Sequence, residues 1–233
     1  MAVRAPARPP SPFRLSARGS AILVAAIGLL VIFATDQILP PTTDRQAELR
    51  FWLAARATGI VALLFMTGQI VFGLVLSHPH NKTTWKLSKR IFPWHDHLWV
   101  FVLAFLAVHV ASLLADPKSG VDVLGAFVPG MSQYRSSPVA LGTLGLYAFL
   151  ITAVTARYTR VLPAGAWLVI HRAALGIFAL GWLHGILAGT DSTALQALYV
   201  AMGLAVLIAG AYRYWASRHA RPTFSTLPME VDP

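Results

Sequence analysis

The chain has 233 residues, 56% hydrophobic and only 12% charged, a balance that marks a membrane protein and excludes an ordinary soluble domain. It has no cysteine, which excludes disulfides, thiolate metal sites, iron–sulfur clusters and a cysteine nucleophile. The formal charge of +10 does not point to nucleic acid here, because the basic residues sit in tails and loops between apolar runs, where they set topology and contact anionic membrane lipid.

Met1 to Gly19 is a polar, proline-rich tail with Arg4, Arg8, Arg14 and Arg18, and its composition predicts disorder. Ser20 to Leu39 is the first apolar run. It is too long for a usual signal-peptide core and no clear A-x-A site follows, so it reads as an uncleaved span. A polar loop with Asp44, Arg45 and Glu48 leads to the second span, about Ala54 to Ser77, with Arg56 near its start. A basic loop with Lys82, Lys86, Lys89 and Arg90 follows, and its two histidines, His78 and His80, read as solvated or interfacial. The third span begins near Trp94 or His95 and ends at Ala115.

The longest connection, Asp116 to Pro138, holds an apolar VDVLGAFVPG segment too short to span, which predicts an interfacial or partly re-entrant piece. Val139 to Ala156 is an uncharged fourth span, followed by Arg157 and Arg160. The fifth starts near Ala164 and contains WLVIHRAALGIFALGWLHGILAGTDS, from Trp167 to Ser192. Asp191 in the short loop after it is placed to cap the next helix. Ala194 to Tyr212 is the sixth span, and a polar tail with Arg213, Arg218, His219 and Arg221 follows.

Each run has about 18–26 residues, the length a helix needs to cross roughly 30 Å of hydrocarbon. Backbone groups in lipid must pair within the segment, and no alternating pattern supports a barrel, so the predicted fold class is all-α, a six-helix transmembrane bundle. It forms one membrane domain, 20–216, between a tail at 1–19 and a tail at 217–233, with no internal repeat. Thirteen Lys and Arg lie in the two tails and the second and fourth loops, against four in the other loops. The positive-inside rule then places both termini in the cytoplasm of a cell membrane protein.

Alternating spans make the third and fifth parallel. His95 and His171 fall near their cytoplasmic starts, while His109 and His184 lie deeper, toward the outer half. Spacings of 14 and 13 residues put the two levels about 20 Å apart. Ionisable residues in a span are costly and mark function. Imidazoles from two facing helices suit the axial positions of haem iron, whereas a bare divalent metal wants further ligands, and no carboxylate lies mid-span. Two such levels make an electron path.

Helix geometry supports one helix better than the other. Fourteen residues return within roughly 40° of the starting face, but thirteen fall about 140° short. His171 and His184 therefore do not share an ideal face. A distortion near Gly176, Gly181, Gly185 or Gly189, or approach from different sides, is required. The spacing of Gly181, Gly185 and Gly189 also fits a helix contact. His97 lies about 120° from His109 and ranks below His95 as a ligand. Arg172 has two readings, a partner for a haem propionate or a side chain snorkelling to the surface. Arg56 has the same two, with snorkelling the simpler.

HDHLWVFVLAFLAVHV, with His95 and His109, and IHRAALGIFALGWLH, with His171 and His184, resemble the ferric reductase-like transmembrane domain family. That family includes the haem cores of NADPH oxidases and ferric reductases and the haem subunit of a bacterial methionine sulfoxide reductase system. The resemblance runs from about Phe51 to Tyr212, and ARATGIVALLF and AFVPG also look like bacterial members. Family spacings are 13 or 14 residues. The resemblance implies b-type haem, with His95 and His171 holding an inner group and His109 and His184 an outer one; two haems or one are both found in the family. Larger members carry a cytoplasmic flavin and nicotinamide domain that this sequence lacks. The expected donor is therefore a separate flavoprotein or quinol, and the acceptor ferric iron, oxygen or a partner protein. The expected role is an oxidoreductase electron-transfer subunit, since no side chain is a convincing acid–base or nucleophilic catalyst. The alternative is a transporter, or a structural or assembly membrane protein, without haem. A transporter would want intramembrane acids or interrupted helices near the midplane.

Overall fold

The computed structural model describes residues 16–38, 40–77, 85–159, 162–163 and 165–219. Residues 1–15 and 220–233 of the two tails lie outside the described residues, as do His78, His80, Lys82 and Arg160. The described residues are helical and contain no strand. The helices are α1 (Ala17–Ile38), α2 (Asp44–Leu76), α3 (Trp85–Ala115), α4 (Val123–Phe127), α5 (Ser136–Arg157), α6 (Ala166–Arg172), α7 (Ala174–Ala188) and α8 (Gln196–His219). With α6 and α7 taken together, six segments are long and apolar enough to cross a bilayer. The protein is a multi-pass, all-α membrane protein, and helix reaches into both expected tails, since α1 starts at Ala17 and α8 runs through His219.

Two spans start well before the apolar runs do. α2 begins at Asp44 because Thr43 caps it: its Oγ1 accepts from the Gln46 N–H at 3.2 Å, while Gln46 Oε1 reaches back to the Thr42 N–H at 2.9 Å. This reciprocal pairing satisfies donors that a helix start leaves orphaned. α3 begins at Trp85, nine residues before Trp94, and runs through Pro93. Hydropathy does not detect that turn-by-turn extension, because Lys and Arg lower it while remaining good helix formers.

α2 is the hub. It packs along α3 and also against α7 and α8, while α5 lies on α7 and α1 on α3. Leu63, Ile70, Phe178, Tyr199, Met202 and Val206 form one core cluster; Val102, Phe149 and Ile177 form another. The outward faces are the inverse of a soluble protein, with Leu207 69% and Ile208 66% exposed. In lipid that costs nothing, and cohesion comes from packing and interhelical hydrogen bonds. Small residues let helices close up: a Cβ on Gly185 would lie 3.0 Å from the Tyr199 ring, whose hydroxyl donates to the Gly185 carbonyl at 3.2 Å. Gly181 and Gly185 of α7 are thus packing residues, against Met66 of α2 and Tyr199 of α8.

The 116–135 connection contains α4, capped by Asp122 Oδ1 accepting from the Gly125 N–H. It ties together the ends of the two histidine-bearing helices. Ser119 Oγ donates to the Leu113 carbonyl of α3 at 2.9 Å. Tyr134 Oη and Arg135 Nη1 donate, each at 2.8 Å, to the carbonyls of Ala188 and Leu187 at the end of α7. Those carbonyls have no partner in their own helix. Tyr134→Phe keeps the ring edge-on to Trp52 but removes the hydroxyl, so thermal unfolding in detergent should show a loss of about 0.5–1.5 kcal/mol. An unchanged melting temperature would mean that this bond does not hold the loop.

Candidate functional site: two facing histidine pairs

The structure brings the four histidines together in two pairs. His95 of α3 faces His171 of α6, with ring centroids 5.9 Å apart and ring planes at 89°. His109 of α3 faces His184 of α7 at 6.3 Å and 82°. A metal ion between two imidazoles, with bonds of about 2 Å and a further 1 Å or so to each ring centre, sets the centroids roughly 6 Å apart. Edge-to-face rings that merely pack also fall at about 4.5–7 Å, so distance alone does not distinguish the two cases. The other ring nitrogen supplies a second observation.

Three of the four rings are pinned through Nδ1. His109 Nδ1 donates to the Ala55 carbonyl at 2.6 Å, His184 Nδ1 to the Pro138 carbonyl at 2.8 Å and His95 Nδ1 to the Gln69 carbonyl at 3.0 Å. A carbonyl only accepts, so Nδ1 carries the proton and Nε2 keeps a bare lone pair. That is the tautomer and the outer support that a metal-ligating histidine uses.

The three anchors share one local construction. The accepting carbonyl lies four residues before a glycine: Ala55 before Gly59, Gln69 before Gly73, Pro138 before Gly142. In a helix the carbonyl of one residue meets the N–H of the residue four further on, so the missing Cβ clears the approach to that oxygen. A Cβ on Gly142 would lie 2.8 Å from His184 Nδ1, one on Gly59 2.9 Å from His109 Nδ1, and one on Gly73 3.0 Å from His95 Cε1. Gly59 and Gly73 are fourteen residues apart on α2, as His95 and His109 are on antiparallel α3. That matched spacing is the sequence feature that would have revealed them.

His171 is the exception. Its Nδ1 is buried and has no hydrogen-bond partner. The helix that carries it ends one residue later: the Ala173 N–H bonds the Ile170 carbonyl at 3.0 Å, one residue tighter than α-helical, before α7 starts. This tight turn overwinds the segment and makes up part of the angular shortfall between His171 and His184. The distortion falls at Ala173, and α7 runs without interruption through Gly176, Gly181 and Gly185.

Each pair borders a cavity. The one at His95 and His171 has a volume of about 710 Å³ and is lined also by Gln69, Trp99, Arg157, Arg172 and Arg213. That volume falls within the range of about 300–1,000 Å³ for cofactor sites. The one at His109 and His184 is narrower, about 190 Å³ and below that range, and mostly apolar, with Arg56, Tyr134 and Asp191 on its wall. Met66, Phe149 and Ile177 border both. Arg172 lines the same cavity as His171, and Arg157 and Arg213 join it from α5 and α8. Those two read in sequence as topology charges only.

Arg56 does not snorkel freely. It pairs with Asp191 across the rim of the narrower cavity. The Asp191 carboxylate is therefore not the cap of α8, although the Asp191 carbonyl accepts from the Leu195 N–H at 2.9 Å. His97 turns back on its own helix, with Nδ1 2.8 Å from the Pro93 carbonyl, and lines neither cavity. The side chain of His219 lies outside the described residues. Among the described residues no three His, Cys, Asp or Glu side chains converge. Comparison of the chain with protein-family models, curated proteins and solved structures finds no match.

Proposed function

We propose that the chain is a b-type haem protein of the ferric reductase-like kind that carries electrons, one at a time, across a cell membrane. The observation that carries this reading is the pair of facing histidines at each of two depths, with Nδ1 pinned to a backbone carbonyl in three of the four rings. Bound haem would supply one-electron redox chemistry at iron, and the protein supplies position, burial and axial ligation. His95 and His171 would hold one group, His109 and His184 the other. Arg172, which lines the first cavity, would meet a propionate there, and Arg56, paired with Asp191, lies at the rim of the second. Met66, Phe149 and Ile177 form the apolar wall between the levels and exclude water from the path.

The excess of Lys and Arg in the tails and the second and fourth loops puts both termini and the His95/His171 level on the cytoplasmic side. The donor is then a cytoplasmic flavoprotein or a quinol, and the acceptor, at the His109/His184 level, ferric iron, oxygen or a partner protein. Reconstitution tests the function. In vesicles holding an impermeant ferric acceptor inside and reductant outside, the protein should reduce the trapped acceptor and His109→Ala should not. Equal rates with and without protein would overturn the electron-transfer reading.

A further inference from the structure

We infer that His171 is a releasable axial ligand, so that the His95/His171 level can open a coordination position to a small exogenous ligand while the His109/His184 level stays closed. The inference rests on the haem reading above and adds an asymmetry between the four histidines.

Four observations converge on His171. First, its Nδ1 is the one ring nitrogen of the four without an acceptor, although it is buried. An imidazole with an unsupported N–H is a weaker base and is free to turn about its side-chain bonds; such outer partners are worth about 10–100-fold in metal affinity. Second, the glycine that supports the other three is missing. On α5, Gly142 clears the Pro138 carbonyl for His184; fourteen residues further along, on nearly the same face, stands Ala156, which lines the His171 cavity with Thr152. Third, His171 rides on a short segment. α6 has seven residues, begins after Gly165 in the left-handed region (φ 83°) and ends at the tight turn of Ala173. Its opposite number His95 sits within a 31-residue helix. Fourth, the cavity beside His171 is the roomier of the two, about 710 Å³ against 190 Å³ at the other level.

The step is a ligand exchange without oxidation or reduction. With haem bound, His171 would let go of the iron as a neutral imidazole protonated on Nδ1, and a small exogenous donor would take its place. His95, pinned to the Gln69 carbonyl, would go on holding the group. At the other level both histidines are pinned and neither leaves.

The test uses the whole purified protein with carbon monoxide as probe and dithionite as reductant. Carbon monoxide should shift the Soret band of one of the two reduced haems, and His109→Ala should leave that shift intact. His171→Ala should keep haem at its level in a high-spin form, while His95→Ala should lose it. Two low-spin haems inert to carbon monoxide, a shift that disappears with His109→Ala, or equal haem loss in His95→Ala and His171→Ala would overturn the inference while leaving the haem reading standing. Protein without any b-type band would overturn both.

Discussion

Gly142→Ala is expected to strip the haem from the His109/His184 level and leave the other level loaded. The added methyl would sit 2.8–2.9 Å from three atoms of the His184 ring, Nδ1, Cε1 and Cγ. A ring pinned on a short bond to Pro138 cannot yield as the end of a flexible chain can. Overpacking of this kind costs about 1–3 kcal/mol, and displacing the ring also breaks its support, worth about 10–100-fold in metal affinity. Gly59→Ala should act on the same level through His109. The control is sharp. Gly68 and Gly176 meet nothing within 4 Å, so Gly68→Ala and Gly176→Ala should keep full haem and gain up to about 1 kcal/mol from helix propensity. Haem content per chain, by pyridine haemochrome, separates the two classes. Equal haem in Gly142→Ala and Gly68→Ala would mean that glycine clearance plays no part in ligation.

His109→Ala and His184→Ala should each lower the stoichiometry from two haems to one, and His97→Ala should leave it at two. The difference follows from placement. His109 and His184 face each other across a shared cavity, whereas His97 turns toward Pro93 of its own helix. This level is the narrower and more apolar cavity, without the three arginines that line the other, so haem left there on one imidazole should be lost. An unchanged spectrum in either variant would remove this pair from the site.

The fold was legible because lipid imposes one answer. Apolar runs of spanning length must be helices, and the six runs are where six helices stand. Boundaries were less legible, since the start of α2 depends on Thr43 and Gln46 and that of α3 on a basic turn before Pro93. Hydropathy sees neither. The four histidines could be paired by depth from their spacing alone. Angular geometry on an ideal helix argued against His171 and His184 acting from one helix, and the structure answers with a tight turn at Ala173 that propensity does not mark. The carbonyl anchors were hidden because a backbone oxygen carries no sequence signature. Their glycines did carry one, in the fourteen-residue step from Gly59 to Gly73, but a glycine in a membrane helix reads first as a packing residue. Likewise the sequence reads Arg56 as a snorkelling side chain or a propionate partner and Asp191 as a helix cap, because each is read from its own element and their pairing crosses between two.

The central claim is that two facing histidine pairs hold haem at two depths. The most direct test is the reduced-minus-oxidised spectrum and haem-to-protein ratio of detergent-purified protein from cells supplied with haem. The expected result is b-type bands and two haems per chain. Protein that is folded and helical but shows no b-type band would contradict it.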